Sequence, residues 1–211
     1  VEGWNRYSQA MWGKDFIRFE GKLPEGARVG DPRYNVIVWD HVQEAGAAYE
    51  SQASDPITGT QLHSIIYLPY AWINIGKEFW RAGQFGEKTD LVVPHKNLFV
   101  GERKFLGQTL PVHCVNDLNL KVSLLAYRDP DTFARKLLKN TLFHEVGHSM
   151  GLGHNFKGSL AFDPKKPGSM FSYSIMDYNR YDQEEAAFES LESSNGPLLE
   201  YDRHVISYLY K

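Results

Sequence analysis

The chain has 211 residues, 42% of them hydrophobic and 14% aromatic, enough for the packed core of one domain or of one domain in two lobes. Its formal net charge of −3 supplies no basic footprint, which argues against nucleic acid as the main partner. No run of about 18 apolar residues exists, so nothing reads as a membrane span, and the single cysteine, Cys114, permits no internal disulfide.

Taken in chain order, Val1, Trp4, Tyr7 and Met11 fall at helical spacing as one apolar face, and Gly13 is a natural stop. No N-cap residue precedes them, so the pattern reads as the tail of a helix begun upstream. Residues 16–20 read as a short apolar strand, and Pro24-Glu25-Gly26 as a turn. Residues 34–39 carry β-formers on both faces, the pattern of a central strand. Residues 43–54 are small and polar with little period, and read as irregular structure or a weak strand. Asp55-Pro56-Ile57-Thr58-Gly59 is a turn, and residues 61–68 are the next strand, closed by Pro69.

Residues 70–130 mix aromatics, glycines and short apolar runs, with helix predicted at 77–81 and short strands at 91–93, 98–100 and 120–125. They read as an insertion folding over an upper lobe. His95, His113 and Cys114 fall inside it and read as surface or core residues. Asp129-Pro130-Asp131 announces a helix capped by Asp131 or Thr132 and running to about Met150. Residues 157–173 read as loop, and 182–194 as a short, exposed acidic helix broken by Asn195-Gly196-Pro197.

The helix starting near residue 130 carries the chemistry. Residues 144–155 read His-Glu-Val-Gly-His-Ser-Met-Gly-Leu-Gly-His-Asn. His144 and His148 are four apart, so they leave one helix face a turn from each other. Two imidazoles so placed can hold one side of a zinc ion, and Glu145, about 100° round the helix, reaches a metal-bound water without ligating. Leu138, Leu142 and Val146 turn the other way, toward the sheet. Gly151 permits a left-handed cap, and the following turn can return His154 as a third ligand. Three protein ligands leave a fourth position for water, the arrangement of catalytic zinc. A bare His-Glu-x-x-His arises by chance at roughly the per-cent level in a chain of this length. Gly151 and His154 lower that to below about one in ten thousand, so three incidental histidines are a poor account.

Downstream lies Ser174-Ile175-Met176-Asp177-Tyr178. Together the two segments resemble the metzincin metalloproteases. Gly3-Trp4-Asn5-Arg6-Tyr7, Arg33-Tyr34-Asn35, Asp55-Pro56-Ile57-Thr58-Gly59 and His154-Asn155-Phe156 are similar to a group of bacterial metzincin-like proteins, often secreted or envelope-associated, mostly without assigned substrates. The resemblance covers about residues 1–69 and 131–211 and implies an α+β fold. Its parts are a twisted mixed β-sheet, an active-site helix and a mostly irregular C-terminal lobe ending in a helix at 201–210, where His204 is structural. The implied division is an upper lobe, 1–153, and a lower lobe, 154–211. Met176 matches the methionine turn beneath the zinc histidines, where a polarizable thioether fills irregular space. Tyr178 matches a tyrosine that approaches the zinc in some branches. The resemblance also makes 61–68 the edge strand that pairs with extended substrate. It places a strand and a backing helix before this sequence, so an upstream segment of a longer chain is the expected partner in folding.

The reaction these residues imply is peptide hydrolysis through a zinc-activated water, with Glu145 as general base and Tyr178 beside the developing oxyanion. Zn2+ is the expected cofactor, a peptide or protein the expected substrate, and an extracytoplasmic site the expected location. Two alternatives stay open: a zinc-binding module without productive catalysis, and a hydrolase of non-peptide amides or esters.

Overall fold

The computed structural model describes residues 1–41, 48–84, 102–105, 108–111, 129–161, 163, 165, 172–177 and 198–210. Helix α1 spans Glu2–Trp12 and stops at Gly13, whose φ of +65° lets its N–H reach the Gln9 carbonyl at 3.0 Å. Trp4 and Tyr7 are 1% and 0% exposed, as their spacing predicts. Residues 16–20 form no strand, contrary to the expectation. The side chain of Asn5 takes the backbone bonds that a neighbouring strand would have made. Its Oδ1 accepts from Phe16 and Ile17 N–H at 3.1 and 3.0 Å, and its Nδ2 donates to the Ile17 carbonyl at 2.8 Å.

Three strands form one mixed sheet: β1 (Val36–Asp40), β2 (Tyr49–Ser54) and β3 (Gln61–Pro69), in the order β1-β3-β2. β1 runs parallel to β3, with Ile37 opposite Ile66, and β2 runs antiparallel to it, with Glu50 opposite Ile66. Two expectations change here. Among the described residues β3 is the middle strand and β2 an edge, because the hairpin turn folds residues 49–54 back along the outer side of β3. In that turn Asp55 Oδ1 accepts from Ile57 and Thr58 N–H at 2.7 and 3.2 Å, and Gly59 adopts φ +71°. An edge strand with only Glu50 and Ala53 half-buried needs no apolar run, which is why it was hard to see. β1, expected to be central, lies at the other end of the sheet among the described residues, with Ile37 and Trp39 41% and 37% exposed.

Helix α2 (Ala71–Gln84) is longer than the predicted 77–81. It crosses the next helix, α3 (Pro130–Ser149), where a Cβ on Gly76 would sit 2.9 Å from Ala134, and Lys77 pairs with Asp131. A two-stranded hairpin, β4 (Glu102–Phe105) with β5 (Gln108–Pro111), lies in the same stretch of sequence. The predicted strands at 91–93, 98–100 and 120–125, with His95, His113 and Cys114, lie outside the described residues, as do 182–194.

The α3 cap is Asp129, two residues before the earliest expected cap. Its carboxylate accepts from Thr132 N–H at 2.8 Å and from Thr132 Oγ1 at 2.7 Å. Pro130 at N1 supplies the helical φ and lacks the N–H that would go unpaired. Helix α4 (Glu200–Leu209) closes the chain. The core gathers where α1, β3, α3 and α4 meet, around Trp4, Ile66, Leu68, Phe143, Val146 and Ile206. Full burial of such side chains is worth about 1.5–3 kcal/mol each. Val146 is in this core, while Leu138 and Leu142 pack at its margin. No helix among the described residues is long and apolar enough to cross a membrane.

Candidate metal centre

α3 ends as its sequence requires. Gly151, at φ +87°, donates to the His148 carbonyl at 2.8 Å, and Leu152 N–H donates to Gly147 at 3.1 Å. This pair of bonds is the Schellman closure, and it reverses the chain one turn after His148. The reversal brings His154 back to the helix. One ring nitrogen from each of His144, His148 and His154 lies within 4.8 Å of the others, and the Nε2 atoms of His148 and His154 are 3.1 Å apart. Tetrahedral zinc with bonds of about 2.0–2.1 Å sets its ligand nitrogens roughly 3.3 Å apart.

Tautomers follow from the partners. His144 Nδ1 lies 2.9 Å from the Ile175 carbonyl and His148 Nδ1 lies 2.7 Å from the Leu152 carbonyl. A carbonyl only accepts, so each Nδ1 carries the proton and each Nε2 presents a lone pair. Burial holds all three imidazoles below their ordinary pKa. His144 is pushed down to about 3 by burial first and by the neighbouring His148 next, offset in part by its bond to Ile175. Neutral imidazoles with converging lone pairs are what a divalent cation needs, so the residues fit one.

Glu145 is 8% exposed, and burial pushes its carboxyl up to about 7, with the carboxylate of Glu50 adding to the rise. Glu50 reaches this side because residues paired across a sheet share a face. Its partner Ile66 packs in the core with Val146 of α3. Nothing in the sequence marked Glu50, since residues 43–54 carried no strand period.

Met176 is fully buried, and a Cβ on Gly147 would run into its Sδ and meet the Trp4 ring at 2.9 Å. The methionine thus sits against the helix between the first two histidines, held from behind by Trp4, whose Nε1 donates to the Phe143 carbonyl at 2.9 Å. Gly147→Ala is expected to cost about 1–3 kcal/mol by overpacking. Urea unfolding of the metal-free protein measures it, and an unshifted midpoint would mean the contact yields freely.

The turn is tied on both sides. Asn155 N–H donates to the Met176 carbonyl at 2.9 Å, and Asp177 Oδ2 accepts from Ser159 N–H at 2.7 Å and from the Ser172 hydroxyl at 3.0 Å. Asp202 of α4 is fully buried and accepts from the Ser174 hydroxyl at 2.6 Å and from Ile175 N–H at 2.9 Å. Burial raises its carboxyl to about 7 against the lowering effect of these bonds and of Tyr7. Sequence reading missed Asp177 and Asp202 because an acidic residue in a polar stretch reads as solvated. Tyr178 lies outside the described residues.

Two histidines on α3 and a third returned by the following turn form a cluster that could hold a metal, with the buried Met176 against the same helix. A family model described as Met-zincin matches residues 126–211, the segment holding α3, the cluster, Met176 and α4. The match supports a metzincin-type, zinc-metalloprotease-like domain, and with the histidine triad it points to zinc. No curated protein and no solved structure matches the chain.

Proposed function

We propose that this protein is a zinc-dependent metallopeptidase hydrolysing peptide bonds of extended protein or peptide substrates. The observation that carries the reading is the convergence of His144, His148 and His154 with Glu145 buried beside them. Bound zinc supplies a water of lowered pKa and polarises a carbonyl. His144 and His148 hold their Nε2 atoms toward the common point, their rings fixed by the Ile175 and Leu152 carbonyls. Glu145, with a carboxyl near neutrality, takes a proton from water and returns it to the leaving amine. Tyr178 is proposed as the second hydrogen-bonding partner of the oxyanion, on the strength of the resemblance alone. Among the described residues no strand lies beyond β2, which packs near α3, and an extended peptide adds to such an edge by main-chain bonds. Incubation with a denatured protein, with and without chelator, tests the reading. Fragments are expected only without chelator; zinc bound without any cleavage would favour the non-catalytic alternative.

We also propose that a strand from an upstream segment of the natural chain adds to β1. Ile37 and Trp39 are exposed there, and a cavity of ≈ 1060 Å³ opens beside Phe16, Ile17, Val36, Ile37 and Ile66. An edge and apolar wall that no described residue covers are unfavourable in water. An N-terminally extended protein is expected to melt higher than residues 1–211; equal melting temperatures would remove the proposal.

A further inference from the structure

The reading of the three histidines as a metal centre does not use the buried carboxyl group on α4. Asp202 sits on α4, with no solvent contact, and its two oxygens are spent on the methionine turn. The route from it to the cluster is continuous. Ser174 Oγ donates to Asp202 Oδ1 at 2.6 Å and accepts from Met176 N–H at 3.0 Å. That N–H belongs to the peptide unit whose carbonyl, on Ile175, accepts from His144 Nδ1 at 2.9 Å. One peptide unit is therefore gripped at its N–H end by Ser174 and Asp202, and at its C=O end by His144. Oδ2 of Asp202 fixes the preceding unit as well, through Ile175 N–H at 2.9 Å. Two consecutive peptide units thus hang from a single carboxyl group.

The physical consequence concerns His144. The direction of an imidazole lone pair is set by the bond its other nitrogen makes, and partners of that kind raise ligand basicity. Bonds in a chain polarise one another, so a carboxyl group at the far end strengthens the acceptor at the near end. We propose that Asp202 is a positioning residue for the metal centre, orienting His144 and tuning it as a ligand through Ser174 and the Ile175–Met176 peptide. Tyr7 anchors the same point from α1, since its hydroxyl accepts Leu199 N–H at 3.1 Å and lies beside the Asp202 carboxyl. The arrangement makes α4 part of the centre, though it contributes no ligand.

The inference rests on the metal-centre reading, and the test separates the two. Wild type, Asp202→Asn and Ser174→Ala are loaded with cobalt(II), and zinc affinity is measured by competition with a chromophoric chelator. Far-ultraviolet circular dichroism of the metal-free proteins reports folding. Asp202→Asn is expected to bind zinc about 10–100-fold more weakly and to shift the visible cobalt bands, as loss of an outer hydrogen-bonding partner does. Ser174→Ala leaves the carboxyl in place, breaks the chain at the hydroxyl, and is expected to shift the same bands. A packing role alone would leave the cobalt spectrum of a folded variant unchanged. If Asp202→Asn does not fold, Ser174→Ala decides. Folded variants with wild-type affinity and spectrum overturn the inference. A wild type that binds neither metal overturns the metal-centre reading instead.

Discussion

Glu145→Gln is expected to keep its zinc and to lose about 10²–10⁴-fold in peptidase turnover, the usual worth of a positioned acid–base group. That range corresponds to roughly 2.7–5.4 kcal/mol in the barrier. The amide matches the carboxyl in size, so the packing around a residue 8% exposed stays as it is. What disappears is the capacity to take a proton. The same substitution has a second signature in the metal-free protein. The Glu145 carboxyl is raised to about 7 when folded, from 4.5 as the ordinary value. The folded state therefore binds more protons than the unfolded chain between those values, and stability falls as pH rises through that window. Removing the group removes its part of the slope, so the drop in melting temperature between pH 5 and pH 8 is smaller in the variant. Near-full turnover in Glu145→Gln would show that another group is the base.

The cluster was legible because its geometry is local. Three ligands, the base and the reversing glycine lie within eleven residues, and helical period plus one left-handed turn suffices to bring them together. Met176 was legible for a different reason, since its position was implied by resemblance and the structure then places it against Gly147. α1 and β1 were legible from apolar spacing, and the Asp55 turn from its own chemistry.

What was not legible is nonlocal. Whether a strand is central or edge depends on which segment pairs beside it, and no period in residues 61–68 records that β2 returns along their outer side. Residues 16–20 looked like a strand because apolar spacing cannot reveal that Asn5 supplies their partners. Asp202 looked like one charge among several on a terminal helix; only the 27-residue reach to Ile175 makes it part of the centre. Buried carboxyls are costly unless bonded, so such a residue signals a role once its burial is known and gives no signal before.

Zinc is expected to raise the melting temperature of the wild-type protein and to do nothing for His148→Ala. A ligand that binds only the native state stabilises it by about 2.7 kcal/mol when free ligand is 100 times its dissociation constant. For a chain of this size that is a rise of roughly 5–10 °C. His148 is the variant of choice because it stands between the others: its Nδ1 is fixed by Leu152 and its Nε2 faces His154 at 3.1 Å. The rise should also depend on pH in a defined direction. The imidazoles are lowered in the folded state, so below about 6.5 the unfolded chain takes up more protons and metal-free stability falls with acid. Burial keeps His144 neutral down to about 3, so protons displace metal from it less readily than from a free imidazole. The zinc-induced rise is therefore expected to persist somewhat below pH 6.5 and to vanish on further acidification. Differential scanning calorimetry with and without added zinc measures both effects. A His148→Ala protein whose melting temperature still rises by the wild-type amount would overturn the assignment of the three histidines.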